Sequence, residues 1–159
     1  MQLLAQEEYG LRCLIQVARH AGPDPLTIPE IAASEGLSPD YAAKLMRALR
    51  QAELVVSTRG AGGGYRLARP AREITAWEVV QALGGSLFPR EFCESHPGQR
   101  HDCVHSLGCS IRGLWTAVEG AVRGVLDRVT IAELARSEQA PLITRIDAAP
   151  ASAPPGSES

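Results

Sequence analysis

The chain has 159 residues, 45% of them hydrophobic and only 4% aromatic, so a core filled mainly by Ala, Leu, Val and Ile is expected. No apolar run approaches the ~20 residues that span a bilayer, and the early Glu7 and Glu8 argue against a secretory signal, so a cytoplasmic protein with no membrane partner is expected. A net charge of −2 speaks against nucleic acid, but its distribution reverses that: between Ser38 and Arg72 seven cations oppose Asp40 and Glu53, an excess of five.

The first element is a helix over about Glu7 to His20, with Leu11, Leu14, Ile15 and Ala18 as its apolar stripe. Gly22-Pro23-Asp24-Pro25 stops it. Thr27-Ile28-Pro29-Glu30 is a capping box that starts a short helix, Ile28 to Glu35, and Gly36 ends that helix. Ser38-Pro39 caps the next one, with proline at its first position and Ala42, Leu45, Met46 and Leu49 as its stripe. A short helix, a glycine-containing turn and a longer helix with a polar start form a helix-turn-helix pattern. LVVSTRGAGGGYRLA then reads as strand, glycine-rich turn and strand, which is a wing. GAGGGY is not a phosphate-binding loop, because it lacks the Lys-Ser/Thr ending and opens no helix. A second capping box, Thr75 to Glu78, starts a helix of about Trp77 to Leu83.

The stretch CESHPGQRHDCVHSLGC, Cys93 to Cys109, holds three of the four cysteines and three of the four histidines. Reduced thiols gathered in a loop favour metal or redox chemistry over disulfides. Nine residues separate Cys93 from Cys103 and five separate Cys103 from Cys109, so no short pair suited to a zinc knuckle exists. A wider spread of thiolates fits an iron–sulfur cluster, and Cys109 at the start of a helix gains from that helix's N-terminus. Cys13, beside the first helix's stripe, reads as a small core residue.

From about Cys109 to Arg128 a long helix keeps one stripe, including Ile111, Leu114, Trp115, Val118 and Val122. A small winged-helix domain offers little surface to cover it, so the same helix of a second copy is the expected cover, giving a two-fold homodimer. Thr130 to Glu133 is a third capping box, and DAAPASAPPGSES after Ile146 has the composition of a disordered tail. The expected organisation is a winged helix-turn-helix domain over 1–86, a cysteine loop over 87–110, a dimerisation helix and C-terminal helix over 109–146, and a tail over 147–159. The fold class is mainly α with a small β wing.

The order LTIPEIAASEGLSPDYAAKLMRAL, RGAGGGYRLARPAREITAWEVVQAL, three-cysteine loop and long helix resembles the Rrf2 family of bacterial transcription regulators over about residues 1–135. The resemblance implies winged-helix homodimers, commonly repressors, many with an iron–sulfur cluster whose state controls DNA binding. Their signals are redox state, nitric oxide, iron or cluster supply. It implies Cys93, Cys103 and Cys109 as ligands, with C-x5-C matching the family and the first gap longer than usual. Positions that ligate in some relatives fall here on Arg112 and Arg12, which cannot. Glu8, reaching from the partner's first helix, is then the first candidate for the fourth ligand, ahead of His96, His101 and His105. A carboxylate among thiolates would be the weakest of the four ligands. It tips the expected cluster toward the 2Fe-2S type over 4Fe-4S.

On the DNA side, the helix from Ser38 is expected in the major groove, with Ser38, Asp40 and Tyr41 nearest the nucleic acid. Ser38 and the helix start suit a phosphate, and Lys44 and Arg47, three apart, suit phosphate neutralisation. By the resemblance the wing enters the minor groove, with Arg59 as the reader of an A·T-rich stretch and Arg66 assisting. A dimer implies a pseudo-palindromic double-stranded operator. An enzyme is not expected: Cys103 with His101 or His105 has no pocket, acidic pair or phosphate loop to support it. The rival reading is a clusterless or zinc-bound regulator of the same fold whose thiols sense redox state directly.

Overall fold

The computed structural model describes residues 5–20, 22–58, 60, 63–85 and 109–136. In chain order these form α1 (Ala5–Arg19), α2 (Ile28–Glu35), α3 (Pro39–Gln51), β1 (Val55–Thr58), β2 (Gly64–Leu67), a 3-10 turn (Ala71–Glu73), α4 (Ala76–Gly84), α5 (Ser110–Leu126) and α6 (Ile131–Arg136). The architecture is mainly helical with one two-stranded antiparallel sheet. Among the described residues no helix is long and apolar enough to cross a membrane.

The expected caps start and stop the helices. Thr27 accepts from the Glu30 N–H while Glu30 accepts from the Thr27 N–H, and Thr75 with Glu78 repeats the arrangement at α4. Thr130 and Glu133 do the same at α6, with N–O distances of 2.9 and 3.2 Å. Each such cap is worth about 1 kcal/mol. Gly36 ends α2 at φ +66°, a left-handed conformation that glycine adopts without Cβ strain. That tight turn brings α3 across α2 as a helix-turn-helix.

Ala42, Leu45, Met46 and Leu49 of α3 are all buried, as their spacing predicts. They meet Cys13, Leu14 and Val17 of α1, Ile31 of α2, Ile74 and Val79. The buried face of α1 differs from the expected stripe. Leu14 is common to both, but Leu11, Ile15 and Ala18 are only half-buried, and Cys13 and Val17 take the core positions. The reason is tertiary: α1 packs on α2, α3, α4, α6 and β2, so most of its circumference is covered and the most apolar line is not the most enclosed one. Cys13 is fully buried, and burial, aided by the Glu35 carboxylate, pushes its thiol up to about 11.

The wing pairs Val55 with Leu67 through Thr58 with Gly64. Leu54 precedes the strand rather than opening it, and its buried side chain anchors the hairpin. At the far end of the fold the chain returns to its start. Ala76 N–H donates to Val129 O (2.8 Å), and Ile131 N–H to Ile74 O (2.9 Å). Arg19 of α1 donates to Ala135 O (2.9 Å), so α6 seals the domain that α1 opens. Between them α5 leans on α4 near its C-terminal end, where the Arg123 guanidinium lies 5.7 Å from the Trp77 ring centroid.

Candidate nucleic-acid interface and cysteine site

The candidate DNA-facing surface begins at the start of α3. Ser38 is its N-cap, and Ser38 Oγ accepts from the Tyr41 N–H at 3.2 Å. The hydroxyl proton remains to donate outward, so capping and a phosphate contact are compatible. Pro39 occupies the first turn, and Asp40 is exposed beside it. Tyr41 is half-buried. One turn on, Lys44 and Arg47 are exposed on the face opposite the buried stripe.

The seven cations do not act alike. Arg69 pairs with Glu78 and donates to Glu73 O, which ties the end of the wing to α4. Arg72 pairs with Glu73 at 3.3 Å. These two serve the fold. Lys44, Arg47 and Arg66 are exposed and have no acidic partner among the described residues. Arg66 stands on β2 across from Val56, an exposed apolar residue of the wing. Arg50, which the charge count included but the site expectation did not, donates to Ser57 Oγ of β1 at 3.3 Å. It sits three residues beyond Arg47, the same step that joins Arg47 to Lys44, and that repeat is the signal that would have found it. It bridges the helix to the wing, making one basic face of the two. Arg59 lies outside the described residues.

Of the expected metal ligands, Cys93 and Cys103 lie outside the described residues, as do His96, His101 and His105. Cys109 is the N-cap of α5. It is partly exposed, and its Sγ accepts from the Arg112 N–H at 3.4 Å. A partly exposed sulfur at a helix start is accessible to a soft metal, for which a cysteine sulfur is a suited ligand. On α1 the two neighbouring acids have opposite fates. Glu7 is buried against the end of α4, where Gly84 leaves it room: a Cβ there would stand 1.7 Å from Glu7 Oε1. Glu8 is exposed. Only Glu8 therefore presents its carboxylate away from its own domain. Among the described residues no three candidate ligands meet in one chain.

A helix-turn-helix joined to a hairpin, sharing one exposed cationic face, defines a winged-helix DNA-binding regulator. A family model described as Rrf2, iron-dependent transcriptional regulator, matches residues 3–137. The chain belongs to the Rrf2 family of transcription regulators. It is 37% identical over 136 residues to protein rrf2 of Nitratidesulfovibrio vulgaris, covering 86% of this chain and 88% of that one. The solved structure of CymR, the global cysteine regulator of B. subtilis, superposes with a TM-score of 0.66 at 32% identity, covering 85% of this chain and 96% of that one. T. potens IscR superposes with a TM-score of 0.66 at 28% identity, covering 91% and 96%. These are transcription regulators rather than enzymes, and so is this protein.

Proposed function

We propose that the protein is a homodimeric repressor whose grip on a pseudo-palindromic operator is set by an iron–sulfur cluster. The observation that carries the DNA part is the row of exposed cations, Lys44, Arg47 and Arg66, with no acidic partner among the described residues on the helix and wing. Charges left unpaired on one face attract a polyanion and gain from counterion release. Ser38 and the α3 N-terminus suit a backbone phosphate, Asp40 and Tyr41 lie where base edges would be met, and Arg59 with Arg66 would follow the minor groove from the wing.

The dimer reading is supported by α5. Its 17 residues extend about 25 Å. Ile111, Leu114 and Trp115 on its first turns are 59%, 56% and 41% exposed. Large apolar residues exposed in a row at helical spacing are covered economically by a second copy of the helix.

The residues in hand fit a cluster: Cys109 is a partly exposed sulfur donor and Glu8 an exposed carboxylate. Cys93, Cys103 and Cys109 would hold it, with Glu8 of the partner helix as fourth donor and His96, His101 and His105 as alternatives. The donor set accommodates either cluster type, with the oxygen ligand favouring 2Fe-2S. When bound, the cluster supplies a redox- and ligand-sensitive tie between loop and helix. The chain's own part is transmission. Glu8 lies on α1, α1 packs on α3, and so the way Glu8 is held bears on the helix that meets DNA. The global cysteine regulator among the similar structures favours one rival, a clusterless or zinc-bound regulator with thiols as direct sensors. The deciding measurement is the anaerobic visible spectrum with iron and sulfide content, wild type beside Glu8→Ala. Iron with equal sulfide and a spectrum altered by Glu8→Ala supports the proposal. Colourless protein that takes up no iron leaves the thiol or zinc regulator.

A further inference from the structure

We propose that Tyr9 and Arg12 of α1 are positioning residues for DNA recognition: from outside the basic face they fix the Tyr41 ring, and with it the first turn of α3. The inference rests on α3 being the helix that reads DNA.

The contacts form one continuous chain. Glu35, the last residue of α2, accepts from Arg12 Nε at Oε2 and from Gln16 Nε2 at Oε1, each at 2.6 Å. Its side chain is 5% exposed, so a nearly enclosed carboxylate has both oxygens occupied and is fixed in place. That carboxylate orients Arg12, whose guanidinium carbon stands 5.3 Å from the centroid of the Tyr9 ring. Tyr9 in turn meets Tyr41 edge to face, with centroids 6.1 Å apart and ring planes at 80°. Tyr41 is the third residue of α3, the one whose N–H is bonded to Ser38 Oγ.

The buried stripe of α3 fixes where the helix axis runs, but it does not alone choose the rotamer of Tyr41, a half-buried tyrosine that flanks the stripe in the first turn. The Tyr9 ring completes that choice. Aromatic pairs favour this T-shaped geometry, and Arg12 pins the other partner through its cation–π and ion-pair contacts. A recognition side chain held in one orientation before binding gives up less entropy on the DNA. Arg12 is engaged by Glu35 and stands apart from the phosphate-facing cations, so its effect on DNA is indirect.

The probe is the duplex that the wild-type protein selects from a pool of randomised sequence, beside a scrambled control. Affinity is read by fluorescence anisotropy at several salt concentrations. Tyr9→Leu and Arg12→Met are expected to weaken the selected duplex about three- to tenfold. Affinity for the scrambled duplex and the salt slope stay as in wild type, since no phosphate contact is lost. Tyr9→Phe binds as wild type, because the ring and not the hydroxyl makes the contact. In a Tyr41→Leu background, Tyr9→Leu has no further effect. Equal loss on both duplexes, or full additivity with Tyr41→Leu, would overturn the proposal. Thermal melts accompany every variant. Should Tyr9→Leu not fold, Arg12→Lys replaces it: the charge pair with Glu35 is kept and the planar stack lost. The same selective weakening is then expected, and wild-type affinity refutes. A wild-type protein that enriches no sequence would refute the reading role of α3 itself, a result separable from a failed coupling test.

Discussion

Removing Lys44 and Arg47 together tests the DNA face most directly. Both are exposed, three residues apart on α3, and neither has an ion pair among the described residues. Their loss therefore leaves no buried charge stranded, and the fold should lose little stability. If each neutralises one phosphate, a dimer carrying Lys44→Ala and Arg47→Ala loses four contacts. Each contact contributes about 0.9 to the slope of log K against log salt, so the slope should fall by about 3.6. Binding of a generic duplex should weaken with it, most at low salt. The control is Arg69→Ala, which removes the same charge a short distance along the chain. Arg69 is tied to Glu78 and to Glu73 O, so its loss should lower the melting temperature and leave the salt slope nearly unchanged. The assay is anisotropy titration across a salt series. A double variant with the wild-type slope, or an Arg69→Ala slope that falls as far, would refute the division of the cations into DNA-facing and structural sets.

Glu53, two residues past the end of α3, adopts φ +58° without being glycine. Glu53→Gly should stabilise the protein by about 1 kcal/mol in urea unfolding, and should tighten DNA binding by removing an acid from the basic segment. Leu49→Ala, at a fully buried position, should cost about 2–5 kcal/mol in the same assay. Glu78 is held below the usual carboxylate value of 4.5: burial acts against this, and the Thr75 N–H, Arg69 and the Thr75 hydroxyl outweigh it. A depressed folded-state value means that this group's stabilisation is complete above pH 4.5 and fades as pH falls through the lower folded-state value. Glu78→Gln should therefore destabilise at neutral pH and flatten the acid limb of the melting profile, as followed by thermal denaturation against pH.

How much of this was legible in the residues follows from the range of the forces involved. The three capping boxes are closed within four residues, and each forms as its spacing predicts. The stripe of α3 was legible because that helix has one covered side and one open side. The wing was legible because glycines between strand formers leave few alternatives. The face of α1 was not, since a helix enclosed by five elements has no single periodicity to display. The division of the cations was also hidden. Arg69 and Arg47 are the same residue type in the same basic segment, and only the folded position of Glu78 beside Arg69 separates a strut from an unpaired surface cation.

The same limit applies to the two acids of α1, whose opposite exposure no local pattern displays. Glu7 and Glu8 differ by one step of about 100° around the helix. That step is enough to bury one against Gly84 and expose the other, because the close approach of α1 to α4 takes place at the small residues Gly10 and Gly84. A Cβ at Gly10 would stand 2.1 Å from Leu83 Cδ1, so the two helices could not close there with a larger residue. Packing at two glycines thus sets the rotation of α1 about its axis. That rotation leaves Glu8 exposed and carries Tyr9 onto Tyr41. The candidate ligand and the candidate positioning residue are consecutive in sequence and ride on one rigid helix. On the proposed reading, a force on Glu8 would be felt at the Tyr9–Tyr41 contact, a coupling that arises from the packing of α1.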